Sequence, residues 1–217
     1  MSWRAGVLVA LLLLLPQGCN AIGAVAYAAP QPKVAAAYGG LKNQRVGIMV
    51  WTDSATTADH PTIQADVARA IYGKLQEASD AGIGDVKDVK WVGIDDTLRF
   101  QEDHPEMEAD AAEDVALRLP ISITRLIYVE ITGFSLHADE AVDLSRGSAT
   151  ANLKVVEIAS QKATVAYQEE NISIIYPSNA PPEGLPDLDE DHVYHESVDT
   201  LAKEVATRFV THEADAE

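Results

Sequence analysis

Asp53, Asp95, Asp96 and His60 are the residues of this sequence best placed to do chemistry. Asp53 closes the apolar run "RVGIMVWT", and Asp95 and Asp96 close "VKWVGI", so all three carboxylates fall where predicted parallel strands end. Open α/β sheets bind their ligands at that edge. Carboxylates beside an imidazole there could activate water or hold a divalent cation, which gives a hydrolytic or metal-binding reading. Helix capping is the competing reading. A short Asp side chain accepts hydrogen bonds from the amides of the next turn, and both "DDTLRF" and the segment after Asp59 read as helix starts.

A second cluster, His195-Glu196-Ser197-Val198-Asp199, has Asp199 where a two-histidine zinc helix needs its second histidine. With His192, Asp189 and Asp191 nearby, it reads as a solvated acidic face, and no metal is expected. His104 and His137 read as solvated, and His212, near the end of the last helix, suits a charge–dipole position. The sequence holds no Gly-x-Ser-x-Gly elbow, no Gly-Lys-Ser/Thr phosphate loop and no dinucleotide glycine motif after the first strand. No cofactor and no catalytic residue are assigned.

The only cysteine, Cys19, stands directly behind a run of leucines. Arg4, the short apolar run of residues 7–15 and Gly18 have the order of an export leader. That run is about half of the ~20 residues a spanning helix needs. Two processing routes stay open. In one, residues 1–18 are a signal peptide and Cys19 becomes the lipidated first residue, with Pro16 standing where the lipoprotein pattern has leucine. In the other, an ordinary secretory leader is cut near Ala29 and no thiol remains. Both leave a chain without disulfides, so stability must come from a packed core.

Formal net charge is −18. So acidic a surface repels nucleic acid and anionic lipid alike, which excludes nucleic-acid partners and favours a covalent lipid for membrane contact. One acyl chain holds only marginally, so stable anchoring needs several. Residues 19–40, rich in Ala and broken by Pro30, Pro32, Gly39 and Gly40, read as the lipidated cysteine with a flexible tether. Residues 41–217 read as a single α/β domain.

Within that domain, residues 45–53 form a near-continuous apolar run, as in a strand buried on both faces. Ile63, Val67, Ile71 and Leu75 recur every fourth position on one helix face, closed by Gly82 and Gly84. Residues 89–94 read as a second strand. A helix is expected from Glu106, with Met107, Ala111, Val115 and Leu119 on one face and Pro120 as its stop. Residues 123–136, the longest β-branched and aromatic run, should be a central strand. Residues 147–158 and 164–175 read as a hairpin through "ASQKA". Trp51 and Trp91 read as core or sheet-face aromatics. The loop at 177–191 is the first choice for a partner contact, because long loops in compact domains are often mobile or used in binding. A last helix carries Val198, Leu201, Val205 and Phe209. The predicted order is β-α-β-α-β-β-β-α. It makes one mixed sheet of about five strands, three parallel and then an antiparallel hairpin, covered by helices.

The lipidated cysteine, the tether, the lead-in "YGGLKNQRVGIMV" and this element order resemble a group of bacterial envelope lipoproteins. It includes the curli-secretion, penicillin-binding-protein-activator and exopolysaccharide-export lipoproteins. The resemblance spans residues 38–212, and the chain also looks like a set of uncharacterised envelope lipoproteins with the same entry and a similar "Phe-x-x-His" ending, here Phe209 to His212. It implies a non-enzymatic adaptor or assembly role, with an envelope protein partner or self-association. It carries over no site residues. The expected location is the cell envelope, facing the periplasm from a lipid anchor, with the outer membrane expected and the inner left open. An exported hydrolase or metal-binding enzyme using Asp53, His60 and Asp95 is the alternative. A small-ligand receptor at the strand carboxyl ends is a third reading.

Overall fold

The computed structural model describes residues 33–138, 141–186 and 188–213. Cys19 and residues 1–18, where the sequence predicts a signal peptide, lie outside them. The chain divides into Met1–Val34 with Glu213–Glu217, and Ala35–His212. The elements in chain order are β1 (Lys33–Val34), β2 (Arg45–Thr52), α1 (Ser54–Asp59), α2 (Ile63–Asp80), β3 (Lys90–Trp91), α3 (Ile94–Asp103), α4 (Ala112–Arg118), β4 (Arg125–Ala138), β5 (Ala141–Ala159), β6 (Lys162–Tyr176), α5 (Glu190–Thr207) and β7 (His212–Glu213). Short 3-10 turns occupy Gly84–Val86 and Pro105–Ala109. β1 and β7 form a two-stranded sheet of their own.

The main sheet has the order β3-β2-β4-β5-β6. β2 runs parallel to β3 and to β4, while β5 is antiparallel to β4 and β6. The predicted mixed α/β sheet is therefore the one that forms, with the strand from Arg125 at its centre.

β2 is buried at seven of its eight positions because both of its faces are covered. Val46, Ile48 and Val50 pack with Ile63, Val67, Ile71 and Leu75 of α2 and with Val198, Leu201 and Val205 of α5. Met49 and Trp51 point into a second core with Phe100 of α3, Val115 of α4, and Met107. Each fully buried aliphatic side chain stabilises the fold by roughly 1.5–3 kcal/mol over its exposed state. Tyr38 joins the first core and bonds to Glu157 and Arg125, so ordered packing begins ahead of β2.

Three boundaries differ most from the sequence expectation, and α1 (Ser54–Asp59) is a helix that the predicted order did not include. The second strand is only Lys90–Trp91, and the apolar run continues through Gly93 into helix α3 from Ile94. The helix expected from Glu106 is split, because Asp110 and Ala111 take extended backbone between the 3-10 turn and α4. Met107, Val115 and Leu119 are still buried, whereas Ala111 is exposed. β5 begins at Ala141, ahead of the expected 147. The β5–β6 turn is Ser160-Gln161 with φ of 51° and 65°, the paired left-handed conformation of a tight two-residue hairpin.

Candidate functional site

The carboxyl ends of the parallel strands are built by three short transitions. β2 ends at Thr52, and Asp53 then caps α1, its Oδ1 accepting from the Thr56 amide at 2.7 Å. That backbone hydrogen bond holds the exposed Asp53 carboxyl below the usual carboxylate range. His60 ends α1, donating its amide to the Thr56 carbonyl at 2.8 Å. Its ring packs edge-on to Phe134 at 5.0 Å and is stacked on Tyr194 at 5.6 Å, so aromatic neighbours from β4 and α5 fix it. Asp95 and Asp96 lie in the first turn of α3, where negative charge favours the helix dipole. Gly93, and neither aspartate, holds the cap position. The Asp95 carboxylate is 80% exposed and faces Arg69 of α2 at 3.3 Å.

These residues fall into separate surroundings. One open cleft of about 550 Å³ is lined by His60, Asp59, Leu136, Tyr194 and Asp189–Asp191. A second, of about 490 Å³, lies between α1, α2 and α3 and includes Trp51, Gln64, Leu98 and Gln101. A third, of about 250 Å³, includes Asp53, Thr132, Glu130 and Glu108. None of the three holds two of Asp53, His60 and Asp95. Asp53 is occupied as a cap, His60 sits among aromatic rings and Asp95 pairs with an arginine. That distribution offers no shared water or cation a set of converging groups. Among the described residues no three His, Cys, Asp or Glu side chains are grouped as metal ligands would be.

The His192–Asp199 stretch lies on α5. Asp189 caps the helix by accepting from the His192 amide at 3.0 Å. His192 Nε2 meets the Tyr176 hydroxyl at 3.2 Å, His195 faces Asp191 at 3.6 Å, and Asp199 is bonded to Lys74 at 2.6 Å. The loop before α5 is laid along β5. Ser145 and Leu185 exchange backbone hydrogen bonds at 2.9 and 3.0 Å, and Arg146 donates to the Pro182 carbonyl at 3.2 Å.

The residues that sequence reasoning did not single out are Gln64 and Gln101, which come together beside Trp51. Gln101 Nε2 donates to the Val50 carbonyl at 2.7 Å and to Gln64 Oε1 at 3.3 Å. The one available signal was a glutamine placed among the apolar positions of a helix.

No family model matches the chain, and no curated protein matches it. Among solved structures it is similar to PelC dodecamers from Paraburkholderia phytofirmans in two crystal forms. One has 8% identity and a TM-score of 0.42, covering 84% of this chain and 95% of that chain. The other has 8% identity and a TM-score of 0.43, covering 83% and 97%. A hypothetical protein, CT253 from Chlamydia trachomatis, is similar at 14% identity and a TM-score of 0.36, covering 74% and 96%. Likenesses this distant transfer no activity and no partner.

Proposed function

We propose that this protein is a lipid-anchored, non-enzymatic binding or assembly protein of the bacterial cell envelope, facing the periplasm. The observation that carries the non-enzymatic half is the dispersal of Asp53, His60 and Asp95 into three settings, each already engaged. The address rests on the leader and on Cys19, the acyl attachment point of the lipoprotein route. No helix among the described residues is long and apolar enough to cross a membrane, which is compatible with lipid attachment.

β6 is the surface best suited to a protein partner. It has 15 residues and, among the described residues, lies at the sheet edge with β5 as its one neighbour in the sheet. A free edge of that length presents backbone N–H and C=O groups to which an incoming strand can add. The opposite edge, β3, has only two residues.

Capture of the full chain from its native envelope, with and without a blocked edge, tests this reading. Neighbouring residues of an antiparallel strand turn their N–H groups to opposite sides. Of Thr164→Pro and Val165→Pro, the variant that keeps the folded circular-dichroism spectrum therefore carries its proline on the outer side. That variant should lose the envelope component that the unaltered chain enriches. Equal recovery by both would remove β6 from the account.

A further inference from the structure

The exposed cations of this acidic chain are unevenly placed. Acidic residues outnumber basic ones 34 to 16. Four cations, Lys42, Arg45, Lys87 and Lys90, nevertheless gather where β2 and β3 begin, and all four are exposed. Arg45 and Lys90 are register partners on adjacent parallel strands. The Lys90 amide donates to the Gln44 carbonyl at 2.8 Å, and the Asn43 amide to the Lys87 carbonyl at 3.2 Å. Like charges set side by side across strands cost stability. Among the described residues no carboxylate lies within ion-pair distance of these four, whereas Arg69, Lys74, Arg118, Arg125 and Arg208 each have one. The same segments carry Asp80 and Asp88, both exposed, and Asp85, whose Oδ2 accepts from the amide and hydroxyl of Thr211 at 2.9 and 2.7 Å. Four cations against three carboxylates leave this end slightly positive.

The opposite end of the sheet is acidic. Asp53, Asp95 and Asp96 follow the ends of β2 and β3, and Asp59 shares an open cleft with Asp189, Glu190 and Asp191. Charge is therefore separated along the strand direction. Physiological salt screens each end beyond about 8 Å, so an approaching surface meets one end and not the net charge. An anionic bilayer repels the acidic end and can be approached by the cationic one. The chain also enters this unit at the cationic end. Tyr38 and Leu41 are buried there, Lys42 follows directly, and Cys19 lies ahead of them in the sequence.

We propose that the end where β2 and β3 begin is the surface this domain turns to a bilayer, with Lys42, Arg45, Lys87 and Lys90 against the phosphates of anionic phospholipid headgroups and the acidic strand ends directed away. This deepens the envelope reading and rests on its lipid anchor. The anchor supplies the affinity, and the cations set the orientation, because so small a local excess of charge does not hold a bilayer by itself.

The test couples the full chain through Cys19, its only thiol, to a maleimide-bearing lipid in nanodiscs. Coupling makes the result independent of how the native chain is processed, and the mass of the native chain judges the anchor separately. The discs are phosphatidylcholine alone, or phosphatidylcholine with an equal amount of phosphatidylglycerol, each with a trace of lipid spin-labelled at the headgroup. The readout is paramagnetic broadening of backbone amide resonances. With phosphatidylglycerol, the amides of Lys42, Arg45, Lys87 and Lys90 should broaden at least roughly threefold more than those of Asp53, Asp95 and Asp189. The contrast should shrink in phosphatidylcholine alone and in high salt. Lys42→Gln with Lys90→Gln removes two exposed charges and should reduce it likewise, and Arg45→Gln with Lys87→Gln serves if that pair does not fold. Equal broadening at both ends, a contrast as large without phosphatidylglycerol, or an unchanged contrast in a folded double variant overturns the proposal. Indifference to phosphatidylglycerol, with shifts at these amides on adding a glutamate-rich peptide, also overturns it and hands the surface to an acidic protein partner.

Discussion

Arg208 donates from Nε and Nη2 to both oxygens of Glu169, at 3.0 and 2.9 Å, and from Nη1 to Glu204 at 2.6 Å. Its backbone carbonyl also accepts from the Tyr38 amide at 2.9 Å, so one residue ties the end of α5 to β6 and to the segment that precedes β2. The Arg208 hydrogen bonds hold the Glu169 carboxyl below its ordinary range. A carboxyl lowered in the folded state adds stability above its unfolded value, about 4.3, and loses it as pH falls through the lower folded value. The urea midpoint should therefore drop as pH falls below about 4.3, and Glu169→Gln should flatten that acid limb. At neutral pH the same variant should be less stable by about 1 kcal/mol, because the pair is partly solvated. An acid limb of unchanged depth in Glu169→Gln would contradict this role. Nothing in the sequence marks the pair, because the two residues lie on different elements and meet only after the sheet and helix have docked. Gln64 and Gln101 escaped notice for the same reason: a glutamine on a helix is ordinary alone.

At the scale of elements, α5 lies so close to β5 that Gly147 has no room for a side chain. A Cβ there would collide with Ser197 Oγ and stand 3.1 Å from Val193 Cγ1. Gly147→Ala should cost about 1–3 kcal/mol, read as a lower urea midpoint, because Ser197 must turn its hydroxyl away and Val193 must give way. A midpoint equal to the parent's would mean that the helix rides further from the sheet. The alternation of Ala149, Ala151, Leu153 and Val155 made β5 legible as a strand with one buried face, and all four are buried. The four-residue spacing on α2 was legible for the same reason: periodic burial leaves a periodic sequence. Where periodicity is short it misleads. Val92 and Ile94 are both buried, the first beside a strand and the second within a helix, and an apolar run of that length does not distinguish the two. The break at Asp110 and Ala111 was hidden because neither residue is a helix breaker. Of the candidate site, the strand-end position of Asp53 was legible, while the spacing of its neighbours depended on where α3 begins.

At the scale of the whole molecule, the proposed account joins an acidic chain of net charge −18, an export leader read from the sequence and a lone Cys19. Net charge keeps the surface as a whole from anionic lipid and nucleic acid, which is why the proposed membrane contact is a covalent lipid, from which a tethered binding domain would meet a partner beside the membrane. The long edge of β6, free among the described residues, is a surface such a domain can offer to an incoming strand. The envelope role stands or falls with the anchor. The measurement that tests it most directly is the intact mass of the processed protein from membrane and soluble fractions, compared between the parent chain and Cys19→Ser. The account predicts a membrane-bound parent that begins at Cys19 and carries acyl mass, and a Cys19→Ser form that lacks the acyl mass and leaves the membrane. A parent cut near Ala29 without added mass, or a Cys19→Ser form still membrane-bound with its mass otherwise unaltered, would contradict it.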